Sequence, residues 1–247
     1  MKARDLVDRV LDVLGSPSMM TGLLSWPKFS FSSYRVVERL VRQGVTVNTV
    51  IDVGANVGQF SVAAAKLMKP KSIFAFEPAP AAFERLKRNT RALPEVRAMC
   101  MALGERDGVS EFNVNVHLHS SSILKLAAAH EQAFPNAIET EVIRVPMMRL
   151  DGAIEGKTKE RPCLLKLDVQ GYEANVLLGA TETLAGTDYV VAELSFKPMY
   201  QGERTFADML ELFEEKGFRF SRPLDFLADP KTGEFLQMDG LFVRVEA

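Results

Sequence analysis

The sequence predicts an α/β protein: a mostly parallel sheet with helices on both faces and an antiparallel edge. Three observations predict it. Short apolar runs at 49–53, 71–78, 163–169 and 189–196 alternate with stretches of helical periodicity, the order that builds parallel strands joined by crossover helices. The runs are apolar without polar alternation, as strands buried on both faces must be. The chain then closes on "FRFSRPLDF" and "FLQMDGLFVRVE" with no helix between them, which calls for an antiparallel pair.

Taken in order, residues 4–14 place Leu6, Val10 and Val13 on one helical face. Residues 15–33 read as a turn-rich connector carrying Trp26, Phe29 and Phe31, and 34–43 as a short helix closed by Gly44. Residues 1–48 are thus expected to form an N-terminal helical cap or lid, and 49–247 the main domain. The strand at 49–53 leads to a helix near 58–68, and the strand at 71–78 to a helix over "PAAFERLKRNTRAL". A third strand spans 95–103, an accessory strand 109–116, and another extended piece 141–151. After the strand at 163–169 a helix is expected over 172–186. The clearest helix is 205–217, with Phe206, Met209, Leu210 and Phe213 at i, i+3, i+4 and i+7.

Composition bounds the function. A chain of 247 residues with 47% hydrophobic content can bury a large core, and a net charge of −2 gives no pull toward nucleic acid or anionic lipid. Cys100 and Cys163 sit in apolar runs and read as buried free thiols rather than a disulfide framework. No run approaches a membrane span and nothing resembles a secretion signal, so a cytoplasmic protein is expected.

The stretch "TVIDVGANVGQFS" sets a glycine loop between a strand and a helix, with Asp52 inside the strand. The loop is not G-x-G-x-x-G, and a carboxylate beside a pyrophosphate would be repelled. No Gly-Lys-Ser/Thr follows, which excludes a P-loop. A ligand with a positive sulfonium and no phosphate turns Asp52 into an asset. S-adenosylmethionine (SAM) is such a ligand, with S-adenosylhomocysteine (SAH) as its product. Glu77, at the tip of the second strand, stands where an acid accepts hydrogen bonds from both hydroxyls of a ribose.

"VIDVGANVGQFS", "FAFEP" and "LLKLDVQGYEANVLLGA" together resemble the FkbM family of SAM-dependent methyltransferases. The resemblance runs from about Thr49 to about Ser195. It implies a Rossmann-like class I methyltransferase fold, a seven-stranded sheet with an antiparallel last strand. It also implies methyl transfer to a hydroxyl of a sugar, glycolipid or polyketide-type natural product. Asp52, Gly54, Ala55, Asn56 and Gly58 would line the methionine and loop region. Glu77, with Pro78 beside it, would hold the ribose, and Ala102 and Leu103 would edge the adenine. One departure is Gln170, where the family usually carries a glutamate.

Methyl transfer needs an aligned acceptor and a destination for its proton. Asp168, at the tip of the fourth core strand, is the first candidate for base or orienting group; capping of the next helix is the alternative. Glu193 is an acid in an apolar strand and a candidate partner of Asp168, either as a coupled acid pair or around a divalent cation. The substitution at Gln170 disfavours a metal. His119, with His117, is the competing base. Ser121 and Ser122 are candidates for binding a polyhydroxylated acceptor, as are Glu173 in the following helix and Trp26 as part of an apolar lid. Lys166 alternates with Asp168 on one strand face as a charge partner. No D/N-P-P-Y/F loop follows the fourth strand, so a flipped nucleobase is not the expected acceptor. The expected partner is a small-molecule or glycan hydroxyl, with a homodimer left open. A non-catalytic partner protein with a SAM fold, an N-methyltransferase and a dehydrogenase are the rivals.

Overall fold

The computed structural model describes residues 17–245, apart from 27, 116–120, 128–129, 131–139, 156–159 and 230–231. The helix expected at 4–14 lies outside the described residues, as do His117, Ser120 and His119.

A seven-stranded sheet forms the centre. Its strands are β1 (Thr49–Val53), β2 (Ser72–Phe76), β3 (Val96–Met99), β7 (Cys163–Leu167), β8 (Tyr189–Ser195), β9 (Phe218–Ala228) and β10 (Phe235–Arg244), in spatial order β3-β2-β1-β7-β8-β10-β9. The pairs from β3 to β8 are parallel, whereas β10 runs antiparallel to both β8 and β9. The closing pair therefore forms the expected antiparallel edge, with β10 on the inner side and β9 outermost. The last strand inserts between β8 and β9, and β9 becomes the edge. A small second sheet, β4-β6-β5, joins β4 (Ala102–Leu103), β5 (Gly108–Asn115) and β6 (Thr140–Met148). It accounts for the accessory strand and for the extended piece near 141, and it splits the run expected at 95–103 into β3 and β4.

Helix α1 (Pro17–Ser25) occupies part of the stretch read as a connector, and Ser30 caps α2 (Phe31–Arg42) through a hydrogen bond from Ser33 N. Tyr34, Val36, Val37 and Leu40 bury one face of α2, which packs on α3 (Gln59–Leu67) and β9. Helix α4 (Pro80–Thr90) begins with proline at its first turn, where no N–H is needed. A short α5 spans Leu150–Ala153. The helix expected over 172–186 is two, α6 (Glu173–Leu178) and α7 (Thr181–Ala185). The break has a packing cause: a side chain on Gly179 would sit 2.0 Å from the Gly104 carbonyl oxygen. Helix α8 (Phe206–Glu215) starts at a capping box between Thr205 and Asp208.

The sheet alternates its side chains between two apolar layers. Ile51, Leu165, Leu167, Val190 and Phe242 join the core under α6 to α8, while Val50, Leu164, Val191 and Leu241 join the one under α2 and α3. Phe242 stacks on Phe213 of α8 at 3.8 Å between ring centroids and meets Phe220 edge-on, so it pins β10 to the helix layer. Phe242→Ala should cost ~3–5 kcal/mol of unfolding free energy, the range for a fully buried aromatic, read from a urea titration.

Candidate active site

All the parallel strands end at one edge, where such sheets bind ligands. The turn after β1 is forced into shape by sterics. Gly54 has φ +80, and a Cβ there would lie 1.8 Å from the Asp168 carbonyl oxygen, so the loops after β1 and β7 touch backbone to backbone. Gly58, at φ +92, starts α3, and a side chain on it would press on Leu86 at 2.9 Å. These loops wall a cavity together with Ala55, Asn56, Glu77, Pro78, Ala102 and Leu103. Asp168, Lys166, Gln170, Asp239, Ser121 and residues Ser30, Ser32 and Ser33 contribute to its polar lining.

Glu77 is 6% exposed, and its two carboxylate oxygens accept from Asn56 N and Ala79 N, each at 2.8 Å. Burial raises its pKa to about 7 against the pull of those two donors. The carboxylate is thus fixed on the cavity wall by the glycine loop on one side and the start of α4 on the other.

Asp52 lies behind the cavity wall, fully buried. Its Oδ2 accepts from Ser61 Oγ at 2.6 Å, and its Oδ1 lies 3.6 Å from Lys166 Nζ. Lys166 Nζ continues to Asp168 Oδ2 at 3.0 Å and to the Gly54 carbonyl at 3.5 Å. Burial works against the ammonium, yet Asp168 and Asp52 hold its pKa above the ordinary lysine range.

Asp168 is the more exposed end of this chain, its side chain 35% accessible. Its other oxygen accepts from Gln170 Nε2 at 2.8 Å, and the same amide nitrogen donates to Glu193 Oε2 at 2.9 Å. Tyr200 Oη donates to Gln170 Oε1 at 2.5 Å, and Gln237 Nε2 donates to Glu193 Oε2 at 3.0 Å. Burial, then Asp168, pushes the Glu193 pKa well up. Asp168 and Glu193 are therefore brought together, through an amide.

Of the acceptor-side candidates, Ser121 lines the cavity and accepts from Asn115 N. Ser122 is buried and donates to the Gln170 carbonyl at 2.7 Å, which fixes the loop after β7. Glu173 is buried under that loop, where its Oε1 accepts from Val169 N at 2.9 Å and Gly171 N at 3.3 Å. Trp26 packs between Phe29 and Tyr34, beside the serines of the cavity rim rather than on its wall. Cys163 is buried as expected, whereas Cys100 is half-buried near the Pro78 carbonyl.

Asp239 and Tyr172 were not singled out by sequence. Asp239 carried the same signal as Glu193, an acid in an otherwise apolar strand. Tyr172 follows directly on the loop and shows only in three dimensions.

A family model described as the methyltransferase FkbM domain matches residues 52–220. The chain belongs to the FkbM methyltransferase family. It is 27% identical over 197 residues to the 2-O-methyltransferase NoeI of Sinorhizobium fredii, covering 76% of this chain and 80% of that one. It is 25% identical over 159 residues to the hexuronic acid methyltransferase AglP of Haloferax volcanii, covering 64% and 61%. Among solved structures, a Listeria monocytogenes protein assigned as an S-adenosylmethionine-dependent methyltransferase superposes with a TM-score of 0.50 at 10% identity, over 85% of this chain and 99% of that one. The fold is the Rossmann-like class I methyltransferase sandwich, and the family member described here is an enzyme with SAM as its cofactor.

The residues fit that cofactor. Gly54 lets the loops after β1 and β7 meet backbone to backbone as one wall of the cavity, and Glu77 presents there a buried carboxylate suited to two hydroxyl donors. Bound there, SAM supplies an activated methyl group on a sulfonium. Lys166 is the keystone of the cluster: Lys166→Met strands Asp52 in the core and should cost ~3–5 kcal/mol of stability, the penalty for breaking a buried pair, with Lys166→Arg retaining more, both read by denaturant titration.

Proposed function

We propose that this methyltransferase acts on a hydroxyl of a sugar, glycolipid or polyketide-type natural product. The observation that carries the reading is Asp168, held at the tip of β7 on the cavity wall by Lys166 and Gln170. A carboxylate fixed by two donors, yet partly exposed, can accept a hydrogen bond from an incoming hydroxyl and align its oxygen for in-line displacement. The polar rim of Ser30, Ser32, Ser33 and Ser121 suits a polyhydroxylated acceptor. Two relatives named for a 2-O-methyl transfer and for a hexuronic acid support the same class.

In this reading Asp52 and Gly54 to Gly58 shape the methionine end of the site, Glu77 and Pro78 hold the ribose, and Ala102 and Leu103 flank the adenine. Asp168 and Glu193 form its reactive end, with Ser122 and Glu173 holding the loop between them. His119 is the rival proton acceptor. The segment around Ser30 to Ser33, with Trp26 packed behind it on Phe29 and Tyr34, serves as the cap over the acceptor end, on the domain that begins near residue 49. Balanced charge and the loop Val169-Gln170-Gly171, without prolines, support a small acceptor over nucleic acid. No described helix is long and apolar enough to cross a membrane, and the free thiols of Cys100 and Cys163 suit the cytoplasm. A homodimer is compatible with this reading.

Incubation with methyl-labelled SAM and a panel of glycosides, including a hexuronide, tests the acceptor class by label in an O-methyl product. Asp168→Asn should leave SAM affinity intact and lower that transfer by roughly two to four orders of magnitude; full activity would remove Asp168 from the reaction. Glu77→Ala should weaken SAM and SAH binding alike by ~1–3 kcal/mol, the worth of hydrogen bonds to an ionised acceptor, measured calorimetrically. Because the Glu77 carboxyl ionises near pH 7 in the free protein, both affinities should fall as pH drops below that value.

A further inference from the structure

Sheet register aligns four acids in one row. One residue past the end of β7, Asp168 falls level with Glu193 on β8, since Leu167 pairs with Ala192. Glu193 pairs with Asp239 on β10, and Asp239 with Asp225 on β9. Residues directly opposite in a ladder share a face, so these carboxyls point to the same side of the sheet.

Three of them have donors. Asp168 has Lys166 and the Gln170 amide. Glu193 has the amides of Gln170 and Gln237. Asp225 has Arg35 at 3.4 Å, Arg39 at 3.8 Å and Ser32, all from the α2 segment. Asp239 lies between Glu193 and Asp225 on the cavity wall, and among the described residues no hydrogen bond or ion pair reaches its carboxyl. Its surroundings are Lys166 and Asp168 from β7, Glu193 from β8 and Asp225 from β9. Burial, followed by the charge of Asp168, raises its pKa to about 7, with Lys166 pulling the other way.

We propose that Asp239 is the ionisable partner of the sulfonium: a carboxylate while the methyl donor is in the site, and the taker of the acceptor's proton as that positive charge is lost. The proposal rests on the reading of this cavity as the methyl-transfer site. The step balances. The acceptor O–H bond breaks and an O–CH3 bond forms. The S–CH3 pair stays on sulfur as a neutral thioether, and the proton goes to the Asp239 carboxylate. Asp168 orients the hydroxyl while tied to Lys166; Asp239 has no such tie and is free to take the proton.

The charge coupling can be measured without knowing the acceptor. SAM and SAH are titrated into the enzyme by calorimetry at pH 7, in two buffers of different ionisation enthalpy. SAM binding should release a fraction of a proton beyond what SAH binding releases. A nearby cation favours the carboxylate, so SAM affinity relative to SAH should rise as pH goes from 6 to 8, by up to about tenfold for a shift of one unit. Glu77 cancels from this ratio, because the ribose is common to both ligands. Asp239→Asn should abolish the extra proton release and flatten the ratio. Equal release by both ligands in the wild type overturns the proposal, as does an extra release that survives in Asp239→Asn. If that variant fails to fold, Asp239→Ser replaces it, and a pH-independent wild-type ratio is itself fatal. Failure of the wild type to bind either ligand would instead remove the cofactor site, and the proposal with it.

Discussion

The site hangs on one buried ammonium. Lys166 reaches from near the C-terminal end of the central strand β7 between Asp52 and Asp168, with Nζ at 3.6 and 3.0 Å from their carboxylates. A buried charge survives only when paired and hydrogen-bonded, and a buried carboxylate needs the same. Asp52 and Lys166 therefore license each other. The pair is fixed by register, since Asp52 and Lys166 are direct neighbours across β1 and β7. What the pair delivers is Asp168, held at the strand tip with a known oxygen toward Lys166 and the other free to meet Gln170.

From that anchor the rest of the floor follows across the sheet. Gln170 carries the connection to Glu193, Gln237 supports Glu193 from β10, and the arginines of α2 neutralise Asp225 at the far edge. The insertion of β10 between β8 and β9 matters here. Only that topology places Asp239 between two other acids on the cavity side. The core pairing of Phe242 with Phe213, three residues further along β10, then keeps this acid in place.

Much of the site was legible because its signals are local. An acid inside an apolar strand is expensive, and that cost pointed to Asp52 and Glu193 before any contact was known. The glycine spacing and Glu77 were legible for the same reason: a tight turn and a strand-tip acid are each written in adjacent residues. The strands were legible from apolar runs. What was not legible depends on distance. The break between α6 and α7 comes from Gly179 meeting Gly104, far apart in sequence. The serines of the α2 segment reach the cavity only because α2 packs on α3 and β9. Asp239 carried the same signal as Glu193, but only the position of β10 in the sheet aims it at the cavity.

Gln170 shows how one atom type changes the chemistry of a row. Its backbone has φ +58, and Gly171 follows at φ +92, packed against the Tyr200 ring, so the loop turns sharply and sends the side chain back between Asp168 and Glu193. An acid at this position would put three carboxyls in mutual contact. At least one would then have to hold a proton, or a cation would have to sit among them. The amide leaves two acids here rather than three: its nitrogen donates to both carboxyls and its oxygen accepts from Tyr200, so every polar atom of the side chain has a counterpart, and a proton kept in this cluster falls to Glu193, whose pKa is pushed well up. Asp168 can then stay ionised beside Lys166, and the proton that must leave the acceptor is directed to an acid outside this closed network.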